Sequence, residues 1–467
     1  MAKPNGWLES RTGGDVRDVY GRSYRLGPSD RVLLGYSRAW VAAAAWLVML
    51  AVSGTQYGYG VFAARLMHSD GWGPEPVMWG FTLWITCHSV ASGALPWLRR
   101  RYRLTSGQAV SAGAVGCGLG LLALSQAGNP ILALAGYGVA CGLGTGLVYG
   151  ACVAIATAWY PDRPARTALV SGAFGYGAIP LILIAASVGD LALPLDMFAF
   201  AILTAAVVCV PFLREPPPRW WPDHLDPRRW AVDKSLNPAL RHDLPAIREH
   251  STREVLRCPV TRVMTALAVC IGSVALFDTA YLPSLGLAGG WRLRDCALAL
   301  AAFAVGSGGV RTLALRSAGR IGRPRVVAVS MCAGAAAQLV LAEADTHHAL
   351  ALLWLASCCA GGAAGTWYAL LPGLVRSCFG DQPGLPNLWL LYSAKAVGGV
   401  LGVGCAGWLI EAVGYPPVLI ASAVLCLAAA GLAPLVRRPG LPRTLPGAAF
   451  GGGAMRIRCR RDVRWDG

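Results

Sequence analysis

Long apolar runs separated by short polar segments make up most of the chain. A helix needs roughly 20 apolar residues to cross the hydrocarbon core of a bilayer, and twelve runs approach or exceed that length. We place them at 39–64, 76–98, 106–127, 130–157, 166–188, 194–213, 259–284, 294–316, 325–342, 347–375, 386–411 and 415–436. The pattern predicts an all-α membrane protein with twelve transmembrane helices.

A long polar interval divides these runs into two sets of six. It is rich in Pro, Arg, Asp and Trp, as in Pro216-Pro217-Pro218. The interval is too hydrophilic to cross a bilayer and too short for a sizeable core of its own. The expected layout is an N-terminal tail 1–38, a six-helix bundle 39–213, a linker 214–258, a second six-helix bundle 259–436 and a C-terminal tail 437–467.

Basic residues follow the polar segments on one side of the predicted membrane. Most of the 41 Lys and Arg residues fall in the tails, the linker and alternate loops. The other loops carry mainly acids and His, with Arg292 and Arg294 as the main exceptions. Because cytoplasmic loops retain Lys and Arg, we expect a multi-pass protein of the cell membrane with both termini in the cytoplasm.

Composition narrows the class of protein further. With 55% hydrophobic and only 14% charged residues, the chain differs from soluble globular proteins. The topology accounts for the net charge of +17, so we expect no nucleic-acid partner. Most of the 15 cysteines lie inside apolar runs without zinc-site spacing, so we expect no metal and no cofactor. The polar first 38 residues do not resemble a cleavable signal peptide.

Glycine is frequent inside the predicted spans, as in 136–146 and 172–177. Small residues three or four positions apart let helix backbones approach closely in lipid, so we expect most of these glycines to serve packing. Two six-helix halves joined by a linker are also the architecture of alternating-access carriers. In such carriers the substrate site lies near the midplane between the halves.

Two cations lie inside apolar spans, where a charge costs at least about 2.5 to 3.5 kcal/mol on insertion scales. Lys395 is in the middle of the eleventh span and is one of three lysines in the chain. It is too deep to reach the headgroups, so we expect it to face substrate, with a structural ion pair as the alternative. Arg311, in the eighth span, offers a planar donor fork for a carboxylate. Its alternative role is to extend the basic loop that follows.

Asp278 in the seventh span is the one deep acid. It could neutralise a cation of the empty site or carry a proton for symport, or it could simply lie near the outer surface. His88 and Glu411 are weaker candidates. Aromatic side chains could line a polar cavity and donate hydrogen bonds to an anion, with ordinary packing as the alternative. These are Tyr57, Tyr149, Tyr176, Trp367 and Tyr368.

Four stretches carry a family resemblance that covers most of the chain. They are Gly54 to Phe62 with Gly71-Trp72 and Phe81-Thr82; Gly144 to Tyr149 with Trp159-Tyr160-Pro161-Asp162-Arg163 and Gly172 to Gly177; Phe379-Gly380 with Asn387 and Tyr392 to Lys395; and Arg311 ahead of Arg323. They resemble major facilitator superfamily carriers of the oxalate/formate antiporter and monocarboxylate transporter type. The resemblance implies two facing six-helix bundles, anion exchange or proton-coupled uptake, and Arg311 with Lys395 as the carboxylate pair.

The chain also departs from that family's pattern. The loop acid after the second helix is missing from the segment 93–99, and Gly319 occupies the corresponding Asp position after the eighth helix. In the family these acids help to latch the cytoplasmic gate. Val310 replaces the usual Gly before Arg311, and the linker is long.

The sequence thus predicts a secondary active transporter of small mono- or dicarboxylates, working by alternating access as an anion exchanger or a proton symporter. We expect it to function as a monomer in the bilayer. The alternative within transport is an efflux carrier for drugs or secondary metabolites. No deep Ser/His/Asp set, carboxylate pair or phosphate-binding loop points to an enzyme.

Overall fold

The computed structural model describes residues 14–68, 71–126, 129–246, 248–347, 350–380 and 385–439. Most of the predicted C-terminal tail and the first residues of the N-terminal tail lie outside this part. We number the long helical spans α1 Arg38–Met67, α2 Pro74–Tyr102, α3 Ser106–Gln126, α4 Pro130–Trp159, α5 Pro164–Ser187, α6 Ala192–Phe212, α7 Pro259–Ala288, α8 Leu293–Ile321, α9 Arg323–Glu343, α10 Leu350–Phe379, α11 Pro386–Val413 and α12 Tyr415–Leu435.

Within the described residues, eleven of these spans are long and apolar enough to cross a membrane. The remaining span, α2, has 29 residues but is more polar, and its last turn contains three arginines, Arg99 to Arg101. The predicted all-α fold of twelve membrane helices is confirmed. The helices are generally longer than the apolar runs because polar residues at their ends continue the same backbone hydrogen bonding.

The twelve spans form two bundles, α1–α6 and α7–α12. In the first, α4 packs on α2 and α3, and α1 packs on α5; in the second, α10 packs on α8 and α9, and α9 packs on α12. Among the described residues, the bundles meet most extensively where α5 packs on α8, α2 on α11 and α1 on α7. The space between the bundles is therefore bounded by α1, α2, α5, α7, α8 and α11.

The crossing of α5 and α8 depends on glycine. A Cβ added to Gly308 would lie 2.4 Å from the Gly172 carbonyl oxygen, and one added to Gly172 would lie 2.6 Å from the Gly308 carbonyl oxygen. Real Cβ atoms do not approach a backbone oxygen so closely, so the two backbones touch directly here. Small residues permit such contact in lipid. This crossing brings the second bundle against the first beside Arg311.

Several membrane helices are interrupted near their middle. The α-helical hydrogen bonding of α1 breaks at Ser53 and Gly58, that of α5 near Gly177, and that of α11 at Ser393. A π-helical segment, Val400–Cys405, follows in α11, and another, Ala135–Cys141, occurs in α4. Interrupted helices at membrane depth are tolerated where they line a cavity or pack against protein. Here the breaks in α1 and α11 flank the two bundles' common boundary.

The tail and linker also form a small β-sheet, which hydropathy did not predict. Strand β1, Asp15–Arg17, pairs antiparallel with β2, Ser23–Leu26, and β2 pairs in parallel with β3, Trp220–Trp221. The Trp220 indole donates to the Pro28 carbonyl at 3.0 Å, so this tryptophan fixes the tail to the linker. Short helices lie at Asp30–Leu34, Pro227–Val232, Pro238–Arg241 and Thr252–Arg257.

We call the end of the molecule that carries the tail, the linker and the loops with Arg99 and Arg323 the basic face. At this face the Arg38 guanidinium binds the Asp162 carboxylate through both its terminal nitrogens, at 3.0 and 3.1 Å. It also donates to the Trp159 carbonyl at 2.6 Å. The Trp-Tyr-Pro-Asp-Arg turn after α4 is therefore anchored to the first residue of α1.

Adding one methyl group at the glycine crossing should push the two bundles apart. Gly308→Ala should lower the free energy of unfolding by about 1 to 3 kcal/mol, because the new Cβ overlaps backbone. The neighbouring Gly309 has open space around its Cβ position, so Gly309→Ala is the matched control. Thermal unfolding in detergent would measure both variants. Equal midpoints for the two would contradict a direct backbone contact.

Candidate substrate-binding site

Lys395 lies directly after the interruption in α11 and is only 3% exposed. Its ammonium donates to Gln56 Oε1 on α1 at 2.6 Å. The same nitrogen stands 5.9 Å from the Trp84 ring centroid and 5.6 Å from the Tyr392 ring centroid, within the range of cation–π attraction. Since Gln56 and Trp84 belong to the first bundle, this cation of the second bundle is held at the boundary between the two.

Arg311 occupies the corresponding boundary between α8 and α5 and is 1% exposed. Its Nε donates to the Ser307 carbonyl at 3.2 Å, and Nη1 donates to the Ser171 carbonyl of α5 at 2.7 Å. The guanidinium carbon lies 5.8 Å from the Tyr368 ring centroid. Arg311 is thus enclosed by both bundles, unlike the exposed Arg316 one turn and a half further along α8.

Among the described residues, no carboxylate lies within 4.0 Å of either cation. The Tyr368 and Tyr392 rings are neighbours, and Arg311 lies beside the first and Lys395 beside the second, so the two like charges repel each other across the site. Two buried positive charges held only by neutral oxygens and aromatic faces are an unfavourable arrangement. A bound anion would relieve both the repulsion and the loss of hydration.

A cluster of aromatic side chains lies between the two cations. The Tyr392 ring lies 5.4 Å from the Tyr149 ring and 5.9 Å from the Tyr368 ring, and the Tyr392 hydroxyl is 3.1 Å from His88 Nε2. The Tyr57 hydroxyl shares a hydrogen bond of 2.9 Å with the Ser307 hydroxyl on α8. Three of the five predicted aromatic residues, Tyr57, Tyr149 and Tyr368, therefore lie beside the cations.

Two buried nitrogen atoms in this cluster have no hydrogen-bond partner among the described residues. They are His88 Nδ1 and Trp389 Nε1. The Trp389 ring is 6.2 Å from the Tyr149 ring, and the His88 ring is 5.7 Å from it. Unpaired buried polar groups are rare and costly in proteins. The cluster therefore offers spare hydrogen-bonding groups to a polar ligand as well as two positive charges.

The other two predicted aromatic residues have different surroundings. Tyr176 is half-buried, and its hydroxyl accepts a hydrogen bond from the Trp46 indole on α1 at 2.7 Å. Trp367 is buried and packs into the hydrophobic core, one residue and so about 100° around α10 from Tyr368. The structure brings neither side chain to the cations as it does Tyr57 and Tyr368.

Asp278 lies apart from both cations. Its Oδ2 accepts a hydrogen bond from Gln338 Nε2 of α9 at 2.8 Å, inside the second bundle. Asp278 Oδ1 and Gln338 Oε1 are buried and have no partner among the described residues. The carboxyl does not neutralise Arg311 or Lys395 in this conformation. Across the described residues, no three His, Cys, Asp or Glu side chains gather as metal ligands.

Sequence reasoning missed Gln56 and Trp389 and gave little weight to Tyr392 and His88. Some signals were present. Tyr392 precedes Lys395 by three residues and Trp84 precedes His88 by four, spacings that put side chains on one face of a regular helix. Gln56 is a polar side chain between Thr55 and Tyr57 in an apolar span. Its pairing with a lysine more than three hundred residues away leaves no local pattern.

A buried polar site between two six-helix bundles defines a polytopic membrane carrier. The sequence model of the Major Facilitator Superfamily matches residues 34–385, and the chain belongs to this superfamily. Its members are transporters and not enzymes. The fold, the transmembrane location and a transport function follow from this membership.

Known proteins similar to this chain include one curated relative and two solved structures. An uncharacterized 38 kDa protein in the 23S RNA operon of Thermoproteus tenax is 27% identical over 418 residues, covering 88% of this chain and 98% of the relative. A D-xylose-proton symporter has a TM-score of 0.63 at 14% identity and covers 85% of this chain and 97% of its own. The nucleoside transporter NupG has a TM-score of 0.59 at 10% identity, covering 85% and 100%. These structures show the shared fold.

Supplying a carboxylate to Lys395 tests the charge imbalance directly. Gln56→Glu should raise the free energy of unfolding of the substrate-free protein by about 1 to 3 kcal/mol, because an ion pair replaces a neutral contact in a buried site. Gln338→Glu is the control, since it places a second acid beside Asp278 and should lower stability. Tryptophan-monitored thermal unfolding measures both. Shifts of the same sign in the two variants would argue against an uncompensated cation at Lys395.

Proposed function

We propose that this carrier transports small mono- or dicarboxylates across the cell membrane by alternating access, as a monomer with its basic face in the cytoplasm. The observation that carries the proposal is the pair of buried cations, Arg311 and Lys395, without any carboxylate partner among the described residues. The resemblance to oxalate/formate antiporters and monocarboxylate transporters at the same two residues supports it. The positive-inside distribution of Lys and Arg supports the orientation.

The two cations suit a carboxylate in different ways. Arg311 presents a planar fork that can bind both oxygens of one carboxylate, while Lys395 is a compact charge that can meet a second group. Each now donates to a neutral oxygen of the first bundle, from Ser171 or Gln56. A carboxylate oxygen is the stronger acceptor because its hydrogen bonds are charge-assisted. Substrate therefore replaces these contacts and remains in touch with both bundles.

Charge neutralisation then couples binding to movement. Without substrate, closure of the bundles must bury two like charges that no carboxylate compensates, which costs free energy. A bound anion removes that penalty, so the loaded carrier closes and reorients more readily than the empty one. A dicarboxylate that must neutralise both cations before reorientation gives exchange. A monocarboxylate together with a titrating acid gives proton symport.

Asp278 is the group that we propose for proton coupling. Its protonated carboxyl is complementary to a primary amide, because it donates to Gln338 Oε1 while accepting from Gln338 Nε2. That form would give partners to the two oxygen atoms that now lack them. Deprotonation would leave a buried negative charge beside an amide oxygen. Protonation would then favour the Asp278–Gln338 contact between α7 and α9.

Replacing either cation should abolish carboxylate flux. In proteoliposomes, Arg311→Gln and Lys395→Gln should each weaken substrate binding by about a hundredfold, as expected when one partner of a buried charged contact is lost. Arg316→Gln and Lys234→Gln remove exposed cations from α8 and the linker and are the matched controls. Counterflow of labelled oxalate, formate, lactate and pyruvate measures the effect and identifies the preferred anion.

Two results would overturn the carboxylate proposal. One is wild-type carboxylate counterflow in well-folded Arg311→Gln or Lys395→Gln protein. The other is transport of cationic dyes with no carboxylate flux, which would favour an efflux carrier for drugs. The buried cations disfavour cationic cargo, so we expect no dye transport by the natural protein.

The role of Asp278 separates symport from exchange. Asp278→Asn mimics the protonated carboxyl, so we expect it to retain counterflow and to lose uptake driven by a proton gradient. Asp295→Asn, at the start of α8, removes an acid that lies outside the pair and is the control. Gradient-driven uptake and counterflow would be compared in the same vesicles. Undiminished proton-driven uptake in Asp278→Asn would exclude this carboxyl as the coupling group.

A further inference from the structure

The first part of the linker supplies an acid to the loop between α2 and α3, which has none of its own. Glu215 forms an ion pair with Arg99 at the end of α2. Its Oε1 also accepts a hydrogen bond from the Ser106 amide at the start of α3, at 2.7 Å. The Trp159 indole donates to the Arg214 carbonyl at 2.7 Å. This part of the linker is therefore bound to the first bundle.

The second part of the linker supplies an acid to the loop between α8 and α9. Asp243 lies 3.2 Å from the Arg323 guanidinium, as an ion pair without hydrogen-bond geometry. Both side chains are largely buried, at 10% and 15% exposure. The neighbouring His242 ring nitrogen contacts the Arg320 carbonyl oxygen at 2.6 Å. Asp243 of the linker thus supplies the carboxylate that is missing at Gly319.

Further contacts tie the second part of the linker to the second bundle. The His250 amide donates to the Phe379 carbonyl at the end of α10, at 2.9 Å. Asn387 at the start of α11 donates to the His250 carbonyl at 3.0 Å. Arg438, beyond α12, donates to the Pro245 carbonyl. Each half of the linker is fixed to a different bundle on the basic face.

Only a short connector joins the two fixed parts. It consists of residues 233–237, between the short helices Pro227–Val232 and Pro238–Arg241. Five residues span at most roughly 17 Å even when fully extended. In the structure the connector is folded, because the Asn237 amide donates to the Asp233 carbonyl at 2.9 Å. While both parts stay bound, the ends of the connector can separate no further than this extended length.

We propose that the linker is the latch of the gate at the basic face, with Glu215 and Asp243 replacing the acids that the two loops lack. The bundles meet on this half of the molecule where α2 approaches α11 and α5 crosses α8. Separation of the bundles there stretches the connector until one of the two ion pairs breaks. The linker thereby sets how often, and how far, the site opens towards the basic face.

The latch can be tested without knowledge of the substrate. Hydrogen–deuterium exchange of the full chain in lipid nanodiscs reports opening of each half of the helices separately. In the double variant Glu215→Gln with Asp243→Asn, exchange in the basic-face halves of α2, α5, α8 and α11 should become about tenfold faster, as expected for loss of partly buried pairs. The opposite halves of the same helices should not change. Asp223→Asn removes an exposed linker acid that lies outside the connector and outside both ion pairs, and is the matched control.

Two further variants protect the test against misfolding. Exchanging the charges in Asp243→Arg with Arg323→Asp should restore slow exchange relative to Asp243→Asn alone. Inserting roughly ten Gly and Ser residues after Lys234 keeps both ion pairs and lengthens the connector, so it should also speed exchange at the basic face. The latch is refuted by unchanged exchange in the double and lengthened variants. It is equally refuted by acceleration that is the same at both ends of the helices.

Discussion

The burial of two like charges between two bundles is the constraint on which the rest of this structure depends. Arg311 and Lys395 both belong to the second bundle, and each reaches across to a neutral oxygen of the first. Neither contact compensates a full charge, and the tyrosine and tryptophan faces around the cations add cation–π attraction. The interruptions in α1 and α11 lie beside the same site. The two buried cations and the interrupted helices therefore occur together at the boundary between the bundles.

Close approach of the bundles is the second requirement, and glycine provides it. At the crossing of α5 and α8 the backbones of Gly172 and Gly308 are in direct contact, which places Ser171 within reach of Arg311. Without a Cβ at either position, the two helix backbones pack at close to their shortest possible distance. The same two glycines therefore determine how near the second bundle stands to the first beside the site.

Hydropathy and charge predicted the twelve helices, the division into two bundles and the two buried cations, because each is a local property of the chain. They did not predict the partners. Gln56 meets Lys395 only through the assembled bundles, and Asp278 turns towards Gln338 instead of the cations. The small β-sheet was also missed, since two-residue strands such as Trp220–Trp221 have no periodicity to detect. Long-range pairing escapes patterns that are read along the sequence.

The parallel pairing of β2 with β3 also has a consequence for biogenesis. Arg25 and Leu26 pair with Trp220 and Trp221, so the tail finds its partner only after the six helices of the first bundle have been synthesised. Chains are made from the N-terminus, and early segments wait for later ones. Until residue 221 has left the ribosome, the tail cannot complete this sheet. Its docking can therefore follow only after the whole first half has been synthesised.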